Sequence, residues 1–186
     1  MLPGPGASSG PGSTAGTSRR LPWLVGLVLV VLAATAGALA FATGANGEHA
    51  VTVRTPEGQL IARVPLDGGT FAVSYRNSIY GTLAEERYRL LPDGRFELVE
   101  LAADQVAVLE EYYQVPDAPR PAPDADRRAW VVEPDPARPA VFATLNIAAT
   151  DLGERTLWVP GSPAVPVWQR VVSDNPTVLL DIEETE

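Results

Sequence analysis

From Leu21 to Ala42 the chain carries an apolar run without a single charge, interrupted only by Pro22, Gly26, Thr35 and Gly37. About 20 such residues at helical rise cross a hydrocarbon core, so one transmembrane helix is expected here. Pro22 falls in the first turn, where its missing N–H costs nothing, and Trp23 falls at interface depth. Arg19 and Arg20 precede the run and Glu48 follows it. Basic residues stay on the cytoplasmic side, so the N-terminus is expected in the cytoplasm and the C-terminal part outside it, in a single-pass cell-membrane protein. The competing reading is a cleaved signal peptide, since Ala38-Leu39-Ala40 is a passable small-residue cleavage site. Signal h-regions run about 7–15 residues, and the greater length here favours a retained anchor. Ser18-Arg19-Arg20 opens like a twin-arginine signal, but Pro22 interrupts the apolar pair that should follow. Both readings export what comes after.

The expected organisation follows from that segment. Residues 1–20 are mostly Gly, Pro, Ser, Thr and Ala, too poor in apolar groups to offset ordering entropy, and read as a disordered cytoplasmic tail. Residues 21–43 are the anchor or uncleaved signal segment, 44–48 a linker, and 49–186 one extracytoplasmic β domain, a length suited to a single core. The formal net charge is −9, and two of the basic residues, Arg19 and Arg20, lie before the anchor. An acidic exported domain lacks the basic footprint that nucleic acid demands and is repelled by anionic lipid. There is no cysteine, which removes disulfides, thiolate zinc sites and thiol nucleophiles, and no lysine, which removes Schiff-base chemistry.

Period-two alternation broken by turn chemistry runs through the exported part. Val51 to Arg54 and Leu60 to Val64 flank the turn Thr55-Pro56-Glu57-Gly58. Phe71, Val73 and Tyr75 alternate with Ala72, Ser74 and Arg76. Tyr88 and Leu90 share a face opposite Arg87 and Arg89, and Pro92-Asp93-Gly94 turns the chain into a strand from Phe96 to Leu101. Leu157–Val159, Val165–Val172 and Val178–Ile182 read as a closing meander. The fold class expected is mainly β, a single β-sandwich or an open-barrel-like domain. Between Leu101 and Tyr113, the residues Leu101, Gln105, Val108, Leu109 and Tyr112 recur at helical spacing, with Asp104 as a cap. A helix there is favoured over a strand at Val106–Val108. Trp130-Val131-Val132 is a short strand, and the Pro-rich stretch 116–128 an exposed, semi-rigid loop.

The inventory for chemistry is thin. His49, the lone histidine, lies just beyond the linker and reads as a solvated residue there. Glu85-Glu86 and Glu110-Glu111 are carboxylate doublets, but neighbours on a strand point to opposite faces, so neither doublet is an acid–base pair across a cleft. Surface charge is the expectation for Glu85. Glu86 shares a face with Ala84, Tyr88 and Leu90, and a partly buried carboxylate needs partners; Tyr75, Arg76, Asn77 and Ser78 are the nearest across a hairpin. A structural polar clamp is the first reading of that group and a ligand contact the second. Asp124-Ala125-Asp126, with Asp117 nearby, lacks the Gly and distal Glu of a calcium loop. Trp130, Phe142, Trp158 and Trp168 are expected to fill the core. No catalytic set, metal site or cofactor is expected.

The stretch from Phe71 to Leu90 also carries a pattern: Phe71, Tyr75, Ser78, Thr82, Glu86 and Tyr88 at fixed spacings. It resembles the domain of unknown function 1850 family of small exported proteins, as does the closing stretch Arg155 to Val159, Val165 to Trp168 and Val178 to Ile182. The family's His is Asn77 here, and Ala102-Ala103-Asp104-Gln105 replaces a Gly-rich patch. The resemblance implies an accessory envelope protein of a TRAP transporter that uses a TAXI-type solute-binding protein, with no known reaction. It marks Tyr75, Asn77, Ser78, Thr82, Glu86 and Tyr88 as the ligand or structural polar cluster. The expected function is that of a non-enzymatic interaction module; a small-ligand or ion-binding domain is the alternative, and a carboxylate-based hydrolase stands behind both.

Overall fold

The structure, a computed structural model, describes residues 49–171 and 175–185. The tail, anchor and linker assigned to residues 1–48 lie outside the described residues. Among the described residues no helix is long and apolar enough to cross a membrane.

The described residues are mainly β and form two antiparallel sheets. The strands are β1 (His49–Arg54), β2 (Leu60–Pro65), β3 (Thr70–Arg76), β4 (Leu83–Leu90), β5 (Phe96–Ala103), β6 (Arg120–Pro121), β7 (Trp130–Val132), β8 (Val141–Phe142), β9 (Thr144–Ala148), β10 (Thr156–Trp158), β11 (Val165–Pro166) and β12 (Thr177–Glu184). One sheet has the order β2-β1-β12-β9; the other runs β11-β10-β3-β4-β5-β7-β6, with β8 on β5. The hairpins expected from turn chemistry are present. β1 pairs with β2 across Thr55-Pro56-Glu57-Gly58, and β4 pairs with β5 across Pro92-Asp93-Gly94. At the second turn the Gly94 N–H donates to the Leu91 carbonyl at 3.1 Å, with Gly94 at φ +80, where a Cβ would be strained.

Alternation decides which side chains meet. Val51, Val53, Val64, Ile147, Val178 and Leu180 of the four-stranded sheet share one buried cluster with Phe71, Val73, Tyr88, Phe96 and Leu157 of the larger sheet. Phe71 stacks on Tyr88 at 5.1 Å between centroids, and Phe96 meets both rings edge-on. A second buried cluster gathers Tyr75, Ala84, Leu101, Ala103 and Val132 under Val108 and Leu109.

Three expectations are corrected. The closing segments are not a meander: β10 pairs with β3 and β11, while β12 crosses to the other sheet and lies between β1 and β9. There Val178, Leu180 and Ile182 stand opposite Ile147, Val53 and Val51, so the strand buries its apolar face. Within the expected strand Val165–Val172, whose last residue lies outside the described residues, the chain is extended at Val165–Pro166 and then turns as a 3-10 helix, Val167–Gln169. The helix expected over Leu101–Tyr113 shrinks to one π-helical turn, Val108–Tyr112, because Leu101, Ala102 and Ala103 belong to β5, paired with β4 and β7.

Candidate functional site: two faces of strand β4

Strand alternation sends Glu85 and Arg87 to one face of the larger sheet and Glu86 and Tyr88 to the other. On the inner face Glu86 is half-buried. Its Oε2 accepts from the Tyr88 hydroxyl at 2.8 Å and its Oε1 from the Tyr113 hydroxyl at 2.7 Å. Tyr113 in turn receives the Tyr75 hydroxyl at 2.7 Å, and the Arg155 guanidinium lies over the Tyr75 ring, 4.1 Å from its centroid. Burial pushes the Tyr75 phenol up to about 12, with the Glu86 charge adding to it. Burial first and Glu86 second also raise the phenols of Tyr88 and Tyr113. All three hydroxyls therefore remain protonated donors through the physiological range.

Of the six residues marked in the sequence, the structure brings Tyr75, Glu86 and Tyr88 together and leaves Asn77, Ser78 and Thr82 apart from them. The β3–β4 register sets Glu86 opposite Val73, four residues short of Asn77, or roughly 13 Å along a strand. Asn77 is buried at the hairpin end, where its Oδ1 accepts from the backbone N–H groups of Ile79 (3.0 Å) and Tyr80 (3.1 Å). The Asn77 N–H donates to the Thr82 carbonyl at 2.8 Å. Asn77 is thus a turn-former, Ser78 is exposed, and the Thr82 hydroxyl is buried without a hydrogen-bond partner. Arg76 turns away from Glu86 to Glu154 and the Gly81 carbonyl. Tyr113, which completes the inner network, was not marked. It follows the helical turn, and only the packing of that turn brings it back to β4.

The outer face overturns the expectation for Glu85, which is 0% exposed. Its Oε1 accepts from Arg87 Nε at 2.8 Å and Arg127 Nη2 at 2.6 Å, and its Oε2 accepts from Arg127 Nε at 3.1 Å. Arg87 also donates through Nη1 to Glu100 at 2.7 Å and through both terminal nitrogens to Asp126. Arg128, its side chain 8% exposed, bonds Asp104 at 3.0 Å. The Pro-rich stretch 116–128 is therefore exposed along its length only in part: its end, Asp126-Arg127-Arg128, folds onto the sheet. The hydrogen bonds from Arg87 hold the Asp126 carboxyl down at about 2. Burial works against the Arg87 charge, but the bonds to Asp126 and Glu85 outweigh it and raise that guanidinium.

Beside this network the sheet carries a groove of about 690 Å³. Register explains it: Trp158, Ala72, Arg87 and Glu100 stand opposite one another across β10, β3, β4 and β5. The small Ala72 between an indole and a guanidinium leaves a trough. Thr70, Glu133 and the Pro160-Gly161-Ser162 turn line its edges. Trp158 is half-buried rather than sunk in the core: its Nε1 donates to Ser74 at 2.9 Å, and Arg127 lies over its ring at 4.8 Å. A signal for this face was present in the sequence, since Glu85 and Arg87 alternate on one strand, but their distant partners were not.

His49 begins β1, half-buried, with its Nδ1 buried and unpartnered; it is a strand residue rather than a solvated linker residue. Among the described residues no three His, Cys, Asp or Glu side chains are grouped as metal ligands, and Asp126 is engaged by Arg87. No protein family, no curated protein and no solved structure matches this chain.

Proposed function

We propose that this protein is a non-enzymatic interaction module of the bacterial cell envelope, held by Leu21–Ala42 in the membrane with residues 49–186 outside the cytoplasm. The observation that carries this reading is the closure of both carboxylate centres. Every oxygen of Glu85 and Glu86 already accepts a hydrogen bond from a neighbouring side chain. Carboxylates so engaged brace the sheet; a general acid or base needs an oxygen within reach of substrate. We read the two sheets as the layers of one β-sandwich, a rigid frame on which surface loops do the recognising. The resemblance of the Phe71–Leu90 pattern to the domain of unknown function 1850 family makes the partner a TRAP transporter subunit or its TAXI-type binding protein. An anchor keeps such a module beside an integral partner at high effective concentration, so a weak contact is still occupied. Crosslinking in native membranes should recover those transporter proteins, and a form released from the membrane should lose most of the association. Turnover of a glycan or peptide by the purified protein, with no envelope partner recovered, reverses the reading.

The groove beside Trp158 favours a second reading, a small-ligand domain. Its volume is in the range of small-molecule sites, and the guanidinium-bearing Arg87 and Arg127 are among its lining residues. A thermal-shift screen with organic acids and Ca²⁺ separates the two, because a ligand of the folded state raises its stability.

A further inference from the structure

Four large apolar side chains stand exposed on the described residues: Leu60, Ile79, Tyr112 and Leu152. Three of them come from loops that are bonded to one another. The Arg76 N–H donates to the Gly153 carbonyl at 2.8 Å, its Nη1 to the Gly81 carbonyl at 3.0 Å and its Nη2 to Glu154 at 2.8 Å. These bonds tie the β3–β4 loop, which carries Ile79, to the β9–β10 loop, which carries Leu152. The Tyr80 hydroxyl donates to Glu111 and ties the first loop to the helical turn that carries Tyr112. Ile79 is 71% exposed, Leu152 77% and Tyr112 53%, so one end of the fold presents three apolar groups on a braced frame. Leu60 lies apart, on the β2 edge of the other sheet.

The placement is consistent along both sheets. The His49 carbonyl accepts from Leu66, and His49 stands opposite Glu184. Arg76 ends β3, roughly 20 Å of strand beyond Thr70, and Ala148, which leads into the β9–β10 loop, stands opposite Thr177, the other end of β12. The described chain thus enters at one end and bares its apolar groups at the other. The three segments 76–82, 104–113 and 150–155 carry the carboxylates Asp104, Glu110, Glu111, Asp151 and Glu154 and the arginines Arg76 and Arg155; Arg76 pairs with Glu154 and Arg128 with Asp104, so Glu110, Glu111 and Asp151 carry the acidic excess.

Resting on the reading as an interaction module, we infer that the Ile79–Tyr112–Leu152 end is its docking surface, and that the partner is a protein with an apolar recess rimmed by arginine or lysine. An exposed apolar group costs solvation, and three brought to one end mark an interaction site rather than scatter. The acidic rim selects the occupant: it repels a second copy of the same surface and an anionic bilayer, and it complements a basic rim.

The test uses the full chain in native membranes with a photoreactive phenylalanine analogue at Ile79, Tyr112 or Leu152, and at Asp67 as a control from the opposite end. Ile79 and Leu152 should crosslink to one protein that Asp67 does not reach, with the attachment mapped to an apolar recess flanked by arginine or lysine. Raising salt from ~50 to ~500 mM should lower the yield several-fold, as screening of a charged rim requires. Ile79→Asp with Leu152→Asp should reduce crosslinking from Tyr112 at least ~10-fold, as loss of apolar anchors does, while Tm stays unchanged because both side chains are exposed. Adducts with lipid, with a second copy or equally from Asp67, or a partner face without basic residues, overturn the inference. If the protein so mapped is not a transporter component, the accessory role fails and the docking surface stands. If a transporter subunit is captured from Ser162 at the groove but not from Ile79 or Leu152, the accessory role stands and the docking surface fails.

Discussion

Glu85 and Glu86 are adjacent in the chain and share one strand, yet they are kept in the protein by different means. Glu85 is fully buried and held by charge, with Arg87 and Arg127 bonded to it and Arg128 Nε within 3.9 Å. Glu86 is half-buried and held by neutral donors, the hydroxyls of Tyr88 and Tyr113. Desolvating an anion is costly, and the remedy scales with depth: full burial calls for countercharge, while partial burial is met by hydrogen bonds with some solvent remaining. The cations come from the Pro-rich stretch, so the outer centre fastens a loop to the sheet. The phenols come from β4 and from the residue after the helical turn, so the inner centre fastens that turn to the core.

The sharpest way to break this comparison is to remove each carboxylate in turn and follow unfolding in urea. Glu85→Ala takes the buried anion from Arg87, which keeps Glu100 and Asp126, and from the part-exposed Arg127, and should cost about 2–4 kcal/mol; a loss no larger than that of Glu86→Ala would end the distinction. Glu86→Ala leaves two phenols without their acceptor and should cost about 1–3 kcal/mol, with Glu86→Gln, which keeps one acceptor oxygen, costing less. The smallest effects come from pH and should separate the faces by sign. Asp126 on the outer face ionises at about 2 when folded against 3.8 ordinarily. Its contribution is present above the ordinary value and is lost as pH falls through about 2, at most about 2 kcal/mol. Tyr75 on the inner face ionises at about 12 when folded against 10.0 ordinarily. Its contribution is complete below pH 10.0 and is lost as pH rises through about 12. Asp126→Asn should therefore flatten the acid limb of the stability profile and leave the alkaline limb alone, and Tyr75→Phe should do the reverse.

Much of the frame was legible residue by residue. Alternation at Phe71, Val73 and Tyr75 placed β3, Pro92-Asp93-Gly94 placed the β4–β5 hairpin, and period two alone put Glu85 and Glu86 on opposite faces. The same alternation in Val178–Ile182 marked a strand, but not the strands it would join. Any apolar face offers β12 a similar gain, and the choice of β1 and β9 belongs to the closed core. Polar partners were harder still. Asn77 was grouped with Glu86 because both lie near one hairpin, whereas the register spends Asn77 on its own turn.

Local chemistry by itself therefore determined strand, turn and face, since each depends on dihedral preference and side-chain alternation within a few residues. Only the tertiary structure decided that Glu85, rather than Glu86, is the fully buried carboxylate. Its cover comes from Arg127, 42 residues away, and Asp126 reaches Arg87 across 39, as Tyr113 reaches Glu86 across 27. Burial of a charge is decided by what folds over it, and nothing in the few residues around Glu85 specifies that a loop so distant will return to neutralise it.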